Sequence, residues 1–302
     1  FMAEFADFTL PDIPIQAVDD PDLEEAGISL SMLRLDLAHP LISGNKWFKL
    51  KHNLLQARRE GQSTLLSFGG AWSNHLHALA AAGNLYGFST IGVIRGELPD
   101  PLNICLQEAV NAGMHLYALP RSSYRAKDTE LLAELNTRFG SFYLIPEGGA
   151  NREGALGCAE IPSLYVHKRF DLVTLACGTG TTLAGVASTS SLPILGFQVL
   201  RGQGYLSREV VNLQAQFDLS DNCDWRMNDQ FHFGGYAKAD SKLLSFLAKF
   251  ESRHGIPLEP VYSAKMLYGI YALSKKRDFF PQNCSILAIH GGGLQGRRGF
   301  KL

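Results

Sequence analysis

Along the chain, short apolar runs rich in β-branched residues alternate with longer amphipathic stretches, the pattern of an α/β protein built on parallel strands. Strands are predicted at Leu65 to Phe68, Ile91 to Arg95, Leu116 to Leu119, Tyr143 to Ile145, Leu172 to Ala176, Leu195 to Val199 and Ile286 to His290. Helices are predicted at Asn45 to Glu60, Asn103 to Ala112, Ala126 to Arg138 and Lys242 to Arg253. The longest apolar runs are strand-sized, far short of a membrane span. No repeat, low-complexity tract or long linker marks a boundary, so lobes must be argued from the placement of motifs.

Composition narrows the class. With 302 residues, 46% hydrophobic and 19% charged, the chain can build one large core or two smaller ones, and two lobes are expected. Lys+Arg 28 against Asp+Glu 29 leaves a net charge of -1 without a basic block, which recommends neither a nucleic acid nor an anionic membrane as partner. A small molecule fits better. The five cysteines are scattered without CxxC spacing, arguing against a disulfide framework or a zinc site, and no metal is expected. The start Phe1-Met2-Ala3-Glu4 lacks a basic region followed by an apolar stretch, so a cytoplasmic location is expected.

Four glycine-punctuated loops fall just after predicted strands, where open α/β sheets place their ligands: Ser67 to His75, Ile145 to Asn151, Ala176 to Thr182 and Ile289 to Gln295. In the third, a strand runs into Gly178-Thr179-Gly180-Thr181-Thr182 and then a helix, so backbone amides and hydroxyls could crowd an anion such as phosphate. The P-loop reading fails for want of a Gly-Lys-Ser/Thr, and the dinucleotide fingerprint lacks its third glycine. A plain tight turn stands as the alternative. Ser73 and Asn74, ahead of an Ala-rich stretch, read either as simple helix caps or as a carboxylate site of free amides.

Lys46 follows a Gly44-Asn45 turn and opens a helix on which Lys46, Lys49 and Asn53 lie at i, i+3 and i+7, beside an apolar stripe of Trp47, Leu50 and Leu54. Alone, such a polar stripe is a solvated face. A partly desolvated lysine near a phosphate can instead lose its proton and form an imine with an aldehyde.

Taken together, Gly44-Asn45-Lys46 with Lys49, Gly69-Gly70 to Ser73-Asn74-His75, Pro146 to Asn151 with Gly154-Ala155-Leu156-Gly157, the Gly178 to Thr182 loop, Pro260-Val261-Tyr262 and His290 to Gly293 resemble the fold-type II (tryptophan synthase beta-like) pyridoxal phosphate enzymes. Within that family they resemble the branch of 1-aminocyclopropane-1-carboxylate deaminase and D-cysteine desulfhydrase. The resemblance implies a two-lobed, three-layer αβα fold with mostly parallel twisted sheets. Residues 43–154 would be a small lobe inserted in a large cofactor-binding lobe made of 1–42 and 155–302. It also implies pyridoxal 5'-phosphate as cofactor, a small amino-acid substrate and a homodimer.

Residue by residue, Lys46 matches the imine-forming lysine that also moves protons, and Lys49 a lysine reaching the cofactor phosphate beside Gly178, Thr179, Gly180, Thr181 and Thr182. Asn74 matches the asparagine bonded to the cofactor's phenolic oxygen. Ser73, with the amides around Asn74 and His75, matches the substrate carboxylate site. Tyr262 matches an active-site tyrosine and Tyr236 a second one, while Ser263 falls where the partner of the pyridine nitrogen belongs.

Five positions bear on the substrate question. The deaminase carries a glutamate at the position of Ser263, and a hydroxyl leaves the ring nitrogen largely neutral, a weaker electron sink. That suits elimination of a good β-leaving group better than opening a cyclopropane. His75 stands where the deaminase tends to have glutamine and points the same way, to the desulfhydrase type. Leu294 matches the deaminase, and Trp72 stands where smaller or polar residues are usual, so it could reshape the pocket; Phe48 also replaces an arginine. The resulting expectation is β-elimination from a D-cysteine-like substrate to a 2-oxo acid and ammonia. The alternatives are the cyclopropane deaminase, a cofactor-loaded binding protein without efficient turnover, and a phospho-ligand binder without the cofactor.

Overall fold

The computed structural model describes residues 9–300. In chain order the elements are β1 (Ile15–Val18), α1 (Pro21–Glu25), β2 (Ile28–Leu33), α2 (Asn45–Arg59), β3 (Thr64–Gly69), α3 (Asn74–Tyr86), β4 (Ser89–Arg95), α4 (Ile104–Asn111) and β5 (Met114–Leu119). Then come α5 (Arg121–Ala126), α6 (Thr129–Phe139), β6 (Tyr143–Ile145), α7 (Arg152–Cys158), β7 (Leu172–Cys177), α8 (Thr181–Ala187), β8 (Ile194–Gln198) and α9 (Tyr205–Phe217). The chain closes with β9 (Trp225–Asn228), α10 (Ser241–His254), α11 (Ser263–Ser274) and β10 (Cys284–Ile289).

These strands form two sheets. A four-stranded parallel sheet has the order β5-β4-β3-β6, and a six-stranded one the order β1-β2-β10-β7-β8-β9, in which β1 alone runs antiparallel to its neighbour. The larger sheet draws β1, β2 and β10 from opposite ends of the chain, with β10 seated between β2 and β7.

Both sheets are covered on both faces, as parallel sheets must be. On β10, Leu287 and Ile289 pack with α8 residues Leu183 and Ala184, whereas Ile286 and Ala288 pack with α10 and α11 residues Leu247, Leu267 and Ile270. The period-2 alternation of a strand thus feeds two helical layers, giving the three-layer arrangement. In the smaller sheet Leu65 and Ile94 face α2 and α3 while Leu66 and Val93 face α6. The cluster containing α2 is continuous with that of α8, so one core runs from one sheet to the other and ties them together.

Each predicted strand is found within two residues of its expected limits. The predicted helix from Ala126 is different: α5 ends there, Lys127 adopts φ 42, and Asp128 accepts from the Leu131 amide at 2.9 Å to cap a new helix. The capping carboxylate outcompetes continuation because Asp favours the non-helical cap geometry. Strands β1, β2 and β9 were not predicted; β2 is a mixed Ser/Leu segment whose strand character comes from its pairing with β10.

Candidate active site

Gly44 fixes the entry of Lys46. Its φ is 69, and a Cβ there would lie 1.9 Å from the Gly291 carbonyl oxygen, so only glycine allows the chain to pass this close to the loop after β10. The Asn45 amide donates to that same carbonyl at 3.2 Å. His290 holds the loop in place: its Nδ1 accepts from the Gly292 amide at 3.1 Å, which leaves Nε2 to donate to the Pro257 carbonyl at 2.8 Å.

Lys46 Nζ donates to Asn45 Oδ1 at 2.9 Å, and Asn45 Nδ2 donates onward to Thr182 Oγ1 at 2.8 Å. A single asparagine therefore links the lysine to the threonine loop before α8. Burial pushes the Lys46 amine down to about 7, with the neighbouring charge of Lys49 acting in the same direction and Glu259 opposing it. The polar stripe of α2 is thus no solvated face: Lys49 is 3% exposed and Asn53 fully buried. Lys49 Nζ donates to the Gly148 carbonyl at 2.9 Å and reaches Thr179 Oγ1 at 3.5 Å, and its pKa is lowered by burial.

The anion loop is built for close approach. Gly180 has φ 83, Thr179 and Thr181 hydroxyls stand 3.0 Å apart, and a Cβ at Gly148 would sit 3.0 Å from the Thr179 methyl. Gly178 leaves room for the Tyr262 ring, whose hydroxyl lies 3.2 Å from where a Cβ would be. Tyr236 meets Tyr262 edge to face, centroids 6.1 Å apart. Burial pushes both phenols up, Tyr262 most strongly; the hydrogen bond between them holds Tyr236 back and adds to the rise at Tyr262.

On the other side, Ser73 Oγ accepts from the Leu76 amide at 3.2 Å and caps α3, so the cap reading holds. The amides that lead this helix have no intrahelical acceptor and stay available to an anion. Asn74 Oδ1 accepts from Gln295 Nε2 at 3.1 Å, and its Nδ2 lies against Gly293. The side chain of His75 is buried and reaches the smaller sheet, hydrogen-bonded through Nε2 to Ser67 Oγ at 3.0 Å. Burial depresses its pKa well below the usual imidazole range, and the charges of Lys46 and Lys49 add to this. The His75 amide remains beside Ser73, and the Nδ1 of the ring is buried without a hydrogen-bond partner.

Ser263 has partners within the protein. Its hydroxyl accepts from the Glu259 amide at 2.9 Å and lies 3.2 Å from the Glu259 carbonyl, so it is tied into its own turn. Glu259, absent from the sequence-based candidates, is buried, and its carboxylate takes the amides of Val261, Tyr262 and Ser263 at 2.5 to 3.0 Å. It caps α11 and orients Tyr262; burial raises its pKa against the pull of those amides. The signal was present as an acid just ahead of Pro260-Val261-Tyr262, yet its distance from the helix start hid the capping role. Asn45 was missed as well, though it sits inside the Gly-Asn-Lys motif. Trp72, 39% exposed, lies outside the hydrogen-bonded cluster with its indole against Gly299, and Leu294 opens the short 3-10 turn Leu294–Gly299.

The donor set suits a phosphate-bearing aldehyde: a buried ammonium, three threonine hydroxyls and glycine-opened backbone on one side, and beside them an amine near neutrality. The model for pyridoxal-phosphate dependent enzymes matches residues 13–292. The chain belongs to this family. In it, a bifunctional D-cysteine desulfhydrase/1-aminocyclopropane-1-carboxylate deaminase of Arabidopsis thaliana mitochondria is 30% identical over 309 residues, covering 94% of this chain and 76% of that protein. A crystal structure of an ACC deaminase homologue superposes with a TM-score of 0.80 at 26% identity, covering 98% of this chain and 95% of that one. A pyridoxal 5'-phosphate-dependent aspartate racemase shares the fold at TM-score 0.65 and 13% identity, so the fold alone does not select the reaction. This pyridoxal phosphate enzyme is therefore a lyase or deaminase at the level of its family.

Proposed function

We propose that the protein eliminates the β-substituent of a small, D-cysteine-like amino acid and releases a 2-oxo acid and ammonia. One observation carries the reading: Lys46, its amine pushed to about 7, is joined through Asn45 to the threonine loop that Lys49, on the same helix, also reaches. When bound, pyridoxal phosphate supplies an aldehyde for amines and a conjugated ring that stores the electron pair released at the substrate α-carbon.

The chain's own residues hold the reactants and move protons. Lys49 and the hydroxyls of Thr179, Thr181 and Thr182 would hold the phosphate, with Gly178 and Gly180 letting the backbone come close. Ser73 and the amides of Asn74 and His75 would hold the substrate carboxylate, and Asn74 Nδ2 would be the donor to the ring's phenolic oxygen. Lys46, largely neutral above about pH 7, takes the α-proton. Tyr262 and Tyr236, both raised by burial, keep their protons at neutral pH and suit the opposite task, giving a proton to the departing β-group. Ser263 carries a hydroxyl where the deaminase carries a glutamate, and the weaker sink this would leave favours loss of a good leaving group.

The second reading is ring opening of 1-aminocyclopropane-1-carboxylate to 2-oxobutanoate, favoured by Leu294 and by the activities named for the Arabidopsis relative. The same interpretation takes 43–154 as the small lobe, 1–42 with 155–302 as the large one, and a cytoplasmic homodimer as the working form; the four-stranded sheet falls wholly inside the first range. Purified protein with pyridoxal phosphate is tested for a visible absorption band and then for 2-oxo acid release. The screen covers D- and L-amino acids with β-leaving groups and the cyclopropane acid. Pyruvate and sulfide from D-cysteine are expected; 2-oxobutanoate alone supports the second reading, and a band without any oxo acid refutes both.

A further inference from the structure

Lys265 is a buried cation that the chemistry above leaves unused. It lies in the first turn of α11, three residues after Tyr262, and is 1% exposed. Its Nζ donates to the carbonyl of His232 at 2.9 Å and to that of Gly235 at 2.7 Å. These two carbonyls bracket the turn that delivers Tyr236.

That turn is strained. Phe233, Gly234, Gly235 and Ala237 have φ of 52, 90, 120 and 53, all in the region that side chains avoid. Non-glycine residues in such conformations cost on the order of 1–3 kcal/mol each and persist only when their surroundings over-determine them. Within the turn, the Gly235 amide reaches the His232 carbonyl at 3.0 Å and the Gly234 amide reaches His232 Nδ1 at 3.0 Å. From outside, α11 grips it twice: through the Lys265 ammonium, and one turn further on through Tyr268, against which Phe231 and Phe233 pack at 6.1 and 5.0 Å. The helix that presents Tyr262 therefore also fixes the backbone that presents Tyr236.

We propose that Lys265 is the positioning residue for Tyr236, its ammonium holding the turn of residues 232 to 235 so that the Tyr236 phenol stands against Tyr262. Its turnover readout rests on the function proposed above; its structural readout does not. Burial pushes the Lys265 amine down to about 8, with the Glu259 carboxylate opposing, so this charge is held at a desolvation cost that a neutral side chain would avoid.

The test uses the cofactor-loaded protein carrying Lys265→Met, alone and combined with Tyr236→Phe, with Lys265→Gln as the second variant should the first fail to fold. Two measurements are made: hydrogen exchange of the amides from 233 to 237, and turnover. The expected result is faster exchange confined to those amides, an unchanged visible band, and a fall in kcat of at least about tenfold in the native background. Once Tyr236 is Phe, removing Lys265 should cost nothing further. Equal losses in both backgrounds would mean that Lys265 acts on general stability, and unaltered exchange would mean that it does not hold the turn; either result overturns the proposal. A wild-type protein without turnover on any amino acid defeats the proposed function, and the exchange experiment still decides this one.

Discussion

Gly157 is the position where a single methyl group should do most damage far from the chemistry. A Cβ there would lie 1.8 Å from the Phe48 carbonyl oxygen, and ordinary contact begins at 3.4 Å, so α7 and α2 must part by about 1.6 Å to admit it. Neither group is a side chain that can rotate away. Replacing a helical glycine by alanine gains about 1 kcal/mol of helix propensity. Overpacking of this kind costs about 1–3 kcal/mol, and rigid backbone places it at the upper end. The net expectation for Gly157→Ala is a loss of about 2 kcal/mol. Because Phe48 lies between Lys46 and Lys49, the same shift moves both lysines, and a displacement of about 1 Å at a reacting group costs on the order of a hundredfold in rate. Thermal melting followed by circular dichroism, pyridoxal phosphate titration by absorbance, and turnover together check the argument. The midpoint should fall, cofactor affinity should weaken, and turnover should drop more than either. Arg152→Ala, on the exposed face of the same helix, should stay within about 0.5 kcal/mol of the parent. A Gly157→Ala protein with an unchanged midpoint and native affinity would refute the claim that this glycine sets the seat of α2.

Three further outcomes follow from the charges and bonds of the site. Capture of pyridoxal, which lacks the phosphate, by the apoprotein should rise with pH and level off above about 7, where Lys46 has lost its proton, rather than climbing toward the ordinary lysine value of 10.5. Stopped-flow absorbance should place this inflection higher in Lys49→Gln, which removes a repelling charge, and lower in Glu259→Gln, which removes an attracting one; shifts of the opposite sign would contradict the assignment. Asn45→Ala should weaken pyridoxal phosphate binding by about 1 kcal/mol, roughly fivefold in Kd, because the link from Lys46 to Thr182 is lost while the lysine stays; equilibrium titration reads this directly. Ser263→Ala leaves the buried Glu259 amide without its acceptor and should lower stability by about 1–3 kcal/mol in urea unfolding, a loss that a hydroxyl facing only the cofactor would not produce in the apoprotein.

Much of this protein was legible along the chain. The strands of both parallel sheets that carry ligand loops showed as β-branched apolar runs, since strands buried on both faces need continuous hydrophobicity. The glycine loops after them, Lys46 at its helix entrance and the Ser73 cap could be read because each depends on local backbone geometry and on residues close in sequence. Their order along the chain was enough to name the family and its cofactor.

What depended on distant partners could not be read this way. Strand β2 is a strand because β10, arriving some 250 residues later, pairs with it, and nothing in its mixed Ser/Leu pattern announces that. His75 matched a substrate motif by position, yet only packing against Ser67 turns its ring into the smaller sheet. The Lys46, Lys49 and Asn53 stripe has the spacing of a solvated face; the Gly148-Gly149 turn and the threonine loop close over it, and burial brings the Lys46 amine to about 7. Glu259 and Lys265 were not among the residues singled out along the chain; the fold surrounds them with backbone amides and carbonyls. The sequence by itself determined which chemical groups the chain carries and which local turns can hold them. Only the tertiary structure decided which of those groups lose their water, and a charge changes its proton affinity, its partners and its use when it does.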